Sequence, residues 1–147
     1  MIRNSKYTDI TLRVLRIGLG LLFIYASFDK IMNPGAFAKS IANYQILPIA
    51  VLHLTAILLP WLELVSGVAL LMNKFPRGAN LLIGLMTITF TVAILSAMAR
   101  GLDINCGCFS VINDESNMNA TKILQNLGLI AISVILELNF RKSAKEN

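Results

Sequence analysis

Long apolar stretches alternate with short polar ones along this chain. Four apolar stretches, at about 10–28, 49–72, 78–99 and 121–140, stand between polar segments. Each is near the roughly 20 residues a helix needs to cross a bilayer. The first carries Arg13 and Arg16 in its first half, and the second carries Glu63 and His53. The third has no charge, and the fourth has only Lys122 near its start and Glu137 near its end. Helices satisfy every backbone group inside lipid, which an open sheet cannot do. The pattern therefore predicts an all-α fold: a four-helix transmembrane bundle forming a single integral membrane domain over residues 1–147.

The connection between the first two stretches is longer than a hairpin needs. Pro34-Gly35 ends the first helix. Phe37, Ile41, Tyr44 and Leu47 then recur at near-helical spacing, with Lys39, Ser40 and Asn43 between them. This predicts a short amphipathic helix on the outer surface, read as a connector, with a lid over the mouth of the bundle as the alternative.

Composition agrees with a membrane protein. Hydrophobic residues make up 56% and charged residues 14% of the 147, against about 25% charged in a soluble domain, and the mean hydropathy is +0.69. The net charge of +5 does not point to nucleic acid, because the basic residues lie at the ends of apolar stretches. With the N-terminus inside, nine Lys and Arg residues (Arg3, Lys6, Arg13, Arg16, Lys74, Arg77, Arg141, Lys142, Lys145) face the cytoplasm and four (Lys30, Lys39, Arg100, Lys122) face out. The imbalance predicts cytoplasmic termini in a bacterial inner membrane, with the segment between the third and fourth spans outside. Ala36-Phe37-Ala38 resembles a signal-peptidase site, but Asp29, Lys30, Asn33 and Pro34 separate it from the apolar run, so the first span is expected to be retained.

Charges inside a span call for named partners. Glu63 lies about 21 Å past the start of the second span, and Arg16 about 18 Å before Phe28, at the helical rise. The matched depths predict an Arg16–Glu63 contact that fixes helix packing, or else floors a ligand cavity or serves a proton relay; the alternative is that Arg16 snorkels to the inner surface and Glu63 is protonated. Pro60 removes a backbone donor from the same helix. Trp61 is too deep for an interfacial belt, so it is expected to pack between helices or line a cavity. Tyr25, Phe28, Asp29 and Lys30 are expected near the outer mouth. His53 reads as an interfacial side chain, and Glu137 as an ion pair with Arg141 at helical spacing.

The chain has two cysteines, Cys106 and Cys108, in the polar stretch Asp103-Ile104-Asn105-Cys106-Gly107-Cys108-Phe109. A disulfide between them closes a small, strained ring, and strain makes a disulfide easier to reduce. A metal site is the weaker reading, since two thiolates supply half of a structural zinc's four ligands; no metal is expected. Two small apolar residues in a turn remain the third reading.

The sequence Arg16-Ile17-Gly18-Leu19-Gly20-Leu21-Leu22-Phe23-Ile24, then Lys30, Glu63 with Gly67, and Cys106-Gly107-Cys108-Phe109 resembles the DoxX-like superfamily, specifically its methylamine-utilisation branch, MauE. The resemblance covers nearly the whole chain, and the Cys-Gly-Cys-Phe turn is its sharpest mark. Ser110 stands where that branch often has Gly, and Gln125-Asn126 where it has Arg-Asn. The resemblance implies an inner-membrane four-helix protein associated with periplasmic disulfide chemistry, often beside a thioredoxin-like protein. In methylamine metabolism it implies maturation of a disulfide-rich dehydrogenase subunit. Three functions follow: a thiol–disulfide oxidoreductase or electron relay using Cys106 and Cys108, with a quinone in the bundle as candidate cofactor; a non-enzymatic scaffold; and a small lipophile or quinone binder.

Overall fold

The computed structural model describes residues 3–102 and 120–143. Helix α1 spans Arg3–Met32, α2 Pro34–Asn43, α3 Ile49–Leu71, α4 Pro76–Ala99 and α5 Ala120–Ser143. The described residues contain no strand. Four of the helices are long and apolar enough to cross a membrane, at Ile10–Met32, Ile49–Leu71, Pro76–Ala99 and Ile123–Arg141. The protein is thus an all-helical, multi-pass membrane bundle. Its outer face carries large apolar side chains, among them Leu21, Leu58, Val65, Leu85, Val92 and Leu138, where lipid is the solvent.

In lipid the hydrophobic effect does not drive helices together; close packing and polar contacts do. Both are visible. Helices α1 and α3 run antiparallel and approach closely where Gly20 faces Gly67: a Cβ on Gly67 would stand 2.9 Å from the Gly20 carbonyl oxygen. Helices α4 and α5 are tied by a buried polar knot. Asn80 Nδ2 donates to the Ser133 carbonyl at 2.9 Å, and Ser133 Oγ donates to Asn80 Oδ1 at 3.2 Å. Thr87 and Thr91 satisfy their hydroxyls on the carbonyls four residues back, at 2.8 Å each. Leu19, Phe23, Leu70, Ala79, Ile83, Leu129 and Leu136 form the main apolar core between the four spans.

The Gly20–Gly67 contact sets the axial register. Beyond it α1 continues to Met32, while α3 reaches back to Ile49. Helix α3 therefore stands about 9 Å, six residues of helical rise, above the end of α1. Helix α2 fills this step. Its Phe37 and Ile41 are buried with Leu52 and Ala56 of α3, so the predicted amphipathic helix covers the bundle end instead of lying loosely on its surface. It stops at Asn43, and Tyr44 and Gln45 make a turn in which Gln45 has φ 51°. Arg100, at the end of α4, donates to the Tyr44 carbonyl and holds that turn.

Several helix boundaries differ from those expected. The first span continues past Phe28 to Met32, and α4 and α5 each begin a little earlier than predicted. Pro60 sits inside α3 without ending it.

Candidate functional site

Beneath α2 lies a buried ion pair. Lys30 Nζ is 2.7 and 2.8 Å from the two carboxylate oxygens of Glu63. The two side chains are 1% and 3% exposed, so the charges are removed from solvent and each is the other's compensation. The ammonium also sits 5.1 Å from the ring centroids of both Phe37 and Phe90. Such ring faces attract cations, and more strongly where water is excluded. The cation is therefore held by α3 from one side and by the aromatic faces of α2 and α4 from others.

This corrects the expected Arg16–Glu63 contact, and helix geometry supplies the reason. Side chains tilt toward their own helix N-terminus. Lys30 points back down the bundle and Glu63, on an antiparallel helix, points up toward it, so the pair closes a backbone offset of about 9 Å. Arg16 lies on the other side of the Gly20–Gly67 crossing and tilts away from Glu63. It donates instead to Asn73 Oδ1 in the turn after α3, and its Nε is buried without a hydrogen-bond partner. Equal depths for Arg16 and Glu63 require Phe28 and Ile49 to stand at one level, whereas the four further residues of α1 and the six-residue step separate them by about 15 Å of helical rise.

Glu63 also lines a cavity of about 20 Å³ together with Phe23, Ala26, Thr87, Phe90, Asn126 and Leu129. That is room for about one water molecule, not for a quinone ring. Asn126 is 3% exposed, and its Nδ2 is buried with no hydrogen-bond partner. The sequence singled out Gln125-Asn126 only as a pair; the structure exposes Gln125 and turns Asn126 inward. The burial of Asn126 beside Glu63 was missed. Its signal was an amide in an apolar span, about two turns into α5.

The remaining predicted residues divide. Asp29 is half-buried next to Lys30, and its charge acts on the ammonium. Tyr25 and Phe28 are 73% and 61% exposed on the outer face of α1 and do not line the cavity. Trp61 neither packs between helices nor lines the cavity; it is 53% exposed on the outer face of α3. Glu137 Oε1 pairs with Arg141 Nε at 3.3 Å as predicted, and with Arg77 Nε at 3.6 Å as well. Among the described residues no cluster of side chains is fit to hold a metal. Cys106 and Cys108 lie outside the described residues.

Comparison with known proteins identifies a family. The chain is 27% identical over 128 residues to a methylamine utilization protein MauE of Paracoccus denitrificans, covering 86% of this chain and 68% of that protein. It is 30% identical over 117 residues to the MauE protein of Methylophilus methylotrophus, covering 79% of this chain and 62% of that one. A third MauE protein, from Methylorubrum extorquens, is 36% identical over 96 residues, which is 65% of this chain and 52% of the relative. The chain thus spans about half to two thirds of the length of these relatives. No solved structure matches it. The profile of the family described as methylamine utilisation protein MauE matches residues 8–138, nearly the whole bundle from α1 to α5, and this chain belongs to that family.

Proposed function

We propose that this protein supports thiol–disulfide exchange at the membrane through Cys106 and Cys108, with a thioredoxin-like partner, in the service of methylamine utilisation. The observation that carries the reading is the Cys-Gly-Cys pair, the chain's whole complement of cysteine, within a multi-pass membrane protein whose relatives bear the name of methylamine utilisation. The helix order supports it. The connection carrying the pair leaves α4 and enters α5 at the end of the bundle that α2 covers: Leu102 and Ile123 both pack around Tyr44, Ile94 and Ala97. In the proposed exchange, one cysteine thiolate attacks a partner disulfide and forms a mixed disulfide. The second cysteine, deprotonated, attacks that bond and releases the partner as a dithiol. Two electrons pass to the partner, and Cys106–Cys108 is left oxidised; the opposite direction runs through the same mixed disulfide. The buried Lys30–Glu63 pair, beneath α2, ties α1 to α3 at this end of the bundle.

Redox-state trapping tests the reading. Cells are quenched with acid and alkylated, with and without the thioredoxin-like protein. Cys106→Ser or Cys108→Ser should leave the remaining cysteine in a mixed disulfide with that partner. Full complementation of a deletion strain by the double Cys→Ser protein would sink the proposal and leave the scaffold or lipophile-binding reading.

The orientation is inferred from the distribution of Lys and Arg: nine lie on the inner side, against Lys39, Arg100 and Lys122 on the outer side once the buried Lys30 is set apart. A membrane-impermeant maleimide added to intact, reduced cells should label Cys106 and Cys108. Labelling only after lysis would reverse the topology and, with it, place the pair in a reducing compartment.

A second reading, binding of a lipophile, has one observation in its favour. A largely apolar groove of about 510 Å³ opens between α3 and α4, lined by Leu59, Leu85, Phe90 and Ala93 and capped by Ile46 and Leu47. A quinone, if bound, would lie in this lateral groove and not over the buried pair.

A further inference from the structure

A second groove runs between α2 and α3 on the outside of the bundle, and its chemistry differs from the first. Its volume is about 440 Å³. Gly35, Ala38 and Ala42 leave it open on the α2 side, while Ile49 and Ile57 wall it on the α3 side. Two side chains with cationic or N–H donor capacity line it, Lys39 from α2 and His53 from α3. Both are exposed, and no carboxylate is among the lining residues. We propose that this groove is a binding site for an anionic phospholipid, with the phosphate held by Lys39 and His53 and an acyl chain running along α3.

Three features favour a lipid over a free anion. The groove lies at the step where α2 covers the end of α1, beside the first turns of α3, which is the level at which a spanning helix meets headgroups. A Lys there can lay its stem on apolar surface and keep its ammonium among phosphates, and a basic side chain near an anionic surface contributes about 1 kcal/mol of attraction. Below His53 the face continues apolar. His53, Ile57 and Trp61 recur at four-residue spacing, and all three are exposed, forming a strip about 12 Å long at the helical rise. An acyl chain descending from the phosphate would lie on this strip, which gives the exposed Trp61 a neighbour. A lipid seated there would tie α2 to α3 and so hold the roof over Lys30.

Trp61 is the single tryptophan of the chain and reports directly on such a chain. The protein, in an uncharged detergent, is titrated with phosphatidylglycerol or phosphatidylcholine carrying identical brominated acyl chains, and Trp61 fluorescence is read. Phosphatidylglycerol should quench at a mole fraction about fivefold lower. Lys39→Ala/His53→Ala should remove the difference while leaving quenching by phosphatidylcholine and the thermal midpoint in phosphatidylcholine unchanged. Lys39→Arg should retain it. Equal quenching by the two lipids in the unaltered protein, or an unaltered preference in the double variant, would overturn the proposal. A third arm adds inorganic phosphate at constant ionic strength against chloride: displacement of the brominated lipid by phosphate alone would show a free-anion site and overturn the lipid assignment. If the double variant shifts the thermal midpoint, Lys39→Gln and His53→Gln are read singly, and each should lose part of the preference.

Discussion

Glu63→Gln and Lys30→Met are each expected to lower folded yield sharply, at a cost of about 3–5 kcal/mol, because either change leaves a buried charge without its partner. The charges lie 2.7 Å apart with side chains 1% and 3% exposed, so no water shell can replace the lost group. The double variant should recover much of the loss, since two uncharged side chains then face the aromatic rings of Phe37 and Phe90. A thermal-unfolding cycle in detergent should give a coupling of about 0.5–3 kcal/mol or more between the positions. Arg16→Met supplies the contrast: combined with Glu63→Gln it should be additive, because Arg16 bonds Asn73 beyond the helix crossing. Additivity for Lys30 with Glu63, or strong coupling for Arg16 with Glu63, would reverse the assignment. The redox reading is independent of this result, since Cys106 and Cys108 take no part in the pair.

Gly67→Ala should destabilise the protein by about 1–3 kcal/mol, and Gly67→Val by more. The added Cβ would stand 2.9 Å from the Gly20 carbonyl oxygen and 3.3 Å from the Ile24 backbone nitrogen. Both are backbone atoms, so no side-chain rotation relieves them, and α1 must move away from α3. That movement would also lengthen the Lys30–Glu63 contact, which is set by the same register. Gly18→Ala is the control. Nothing lies within 4 Å of its Cβ, and Ala is the better helix former by about 0.5–1 kcal/mol. The two variants should therefore move the thermal midpoint in opposite directions. Equal behaviour would show that α1 and α3 do not meet at these glycines.

The two effects share a cause. In lipid there is little apolar surface to hide, so helix association rests on a few close approaches and a few satisfied polar groups. Here those are Gly20 against Gly67, Lys30 with Glu63, and Asn80 with Ser133. Loss of any one removes a large share of what holds its helix pair.

Span number, helical class and the Glu137–Arg141 pair were legible in the sequence, because each depends on residues close along the chain. Hydropathy over about 20 residues identifies a helix that lipid will accept, and residues four apart on a helix are neighbours whatever lies beyond. The presence of Glu63 in the second span marked that depth as one needing a counter-charge. The amphipathic pattern from Phe37 to Leu47 announced α2, though not its end at Asn43.

Which cation meets Glu63 was decided only by tertiary structure. By hydropathy the charges at Asp29 and Lys30 mark the end of the first span, a turn short of Met32; in the fold, Lys30 can stay inside because Glu63 neutralises it. The axial offset between α1 and α3 comes from a backbone contact between Gly20 and Gly67, 47 positions apart, and hydropathy carries no information about axial register. That offset moves Arg16 away from Glu63, brings Lys30 to it, and opens the step that α2 fills. The rotation of each helix about its axis was equally hidden: α3 is apolar on all sides, so only its neighbours determine that Glu63 faces inward and Trp61 faces the lipid.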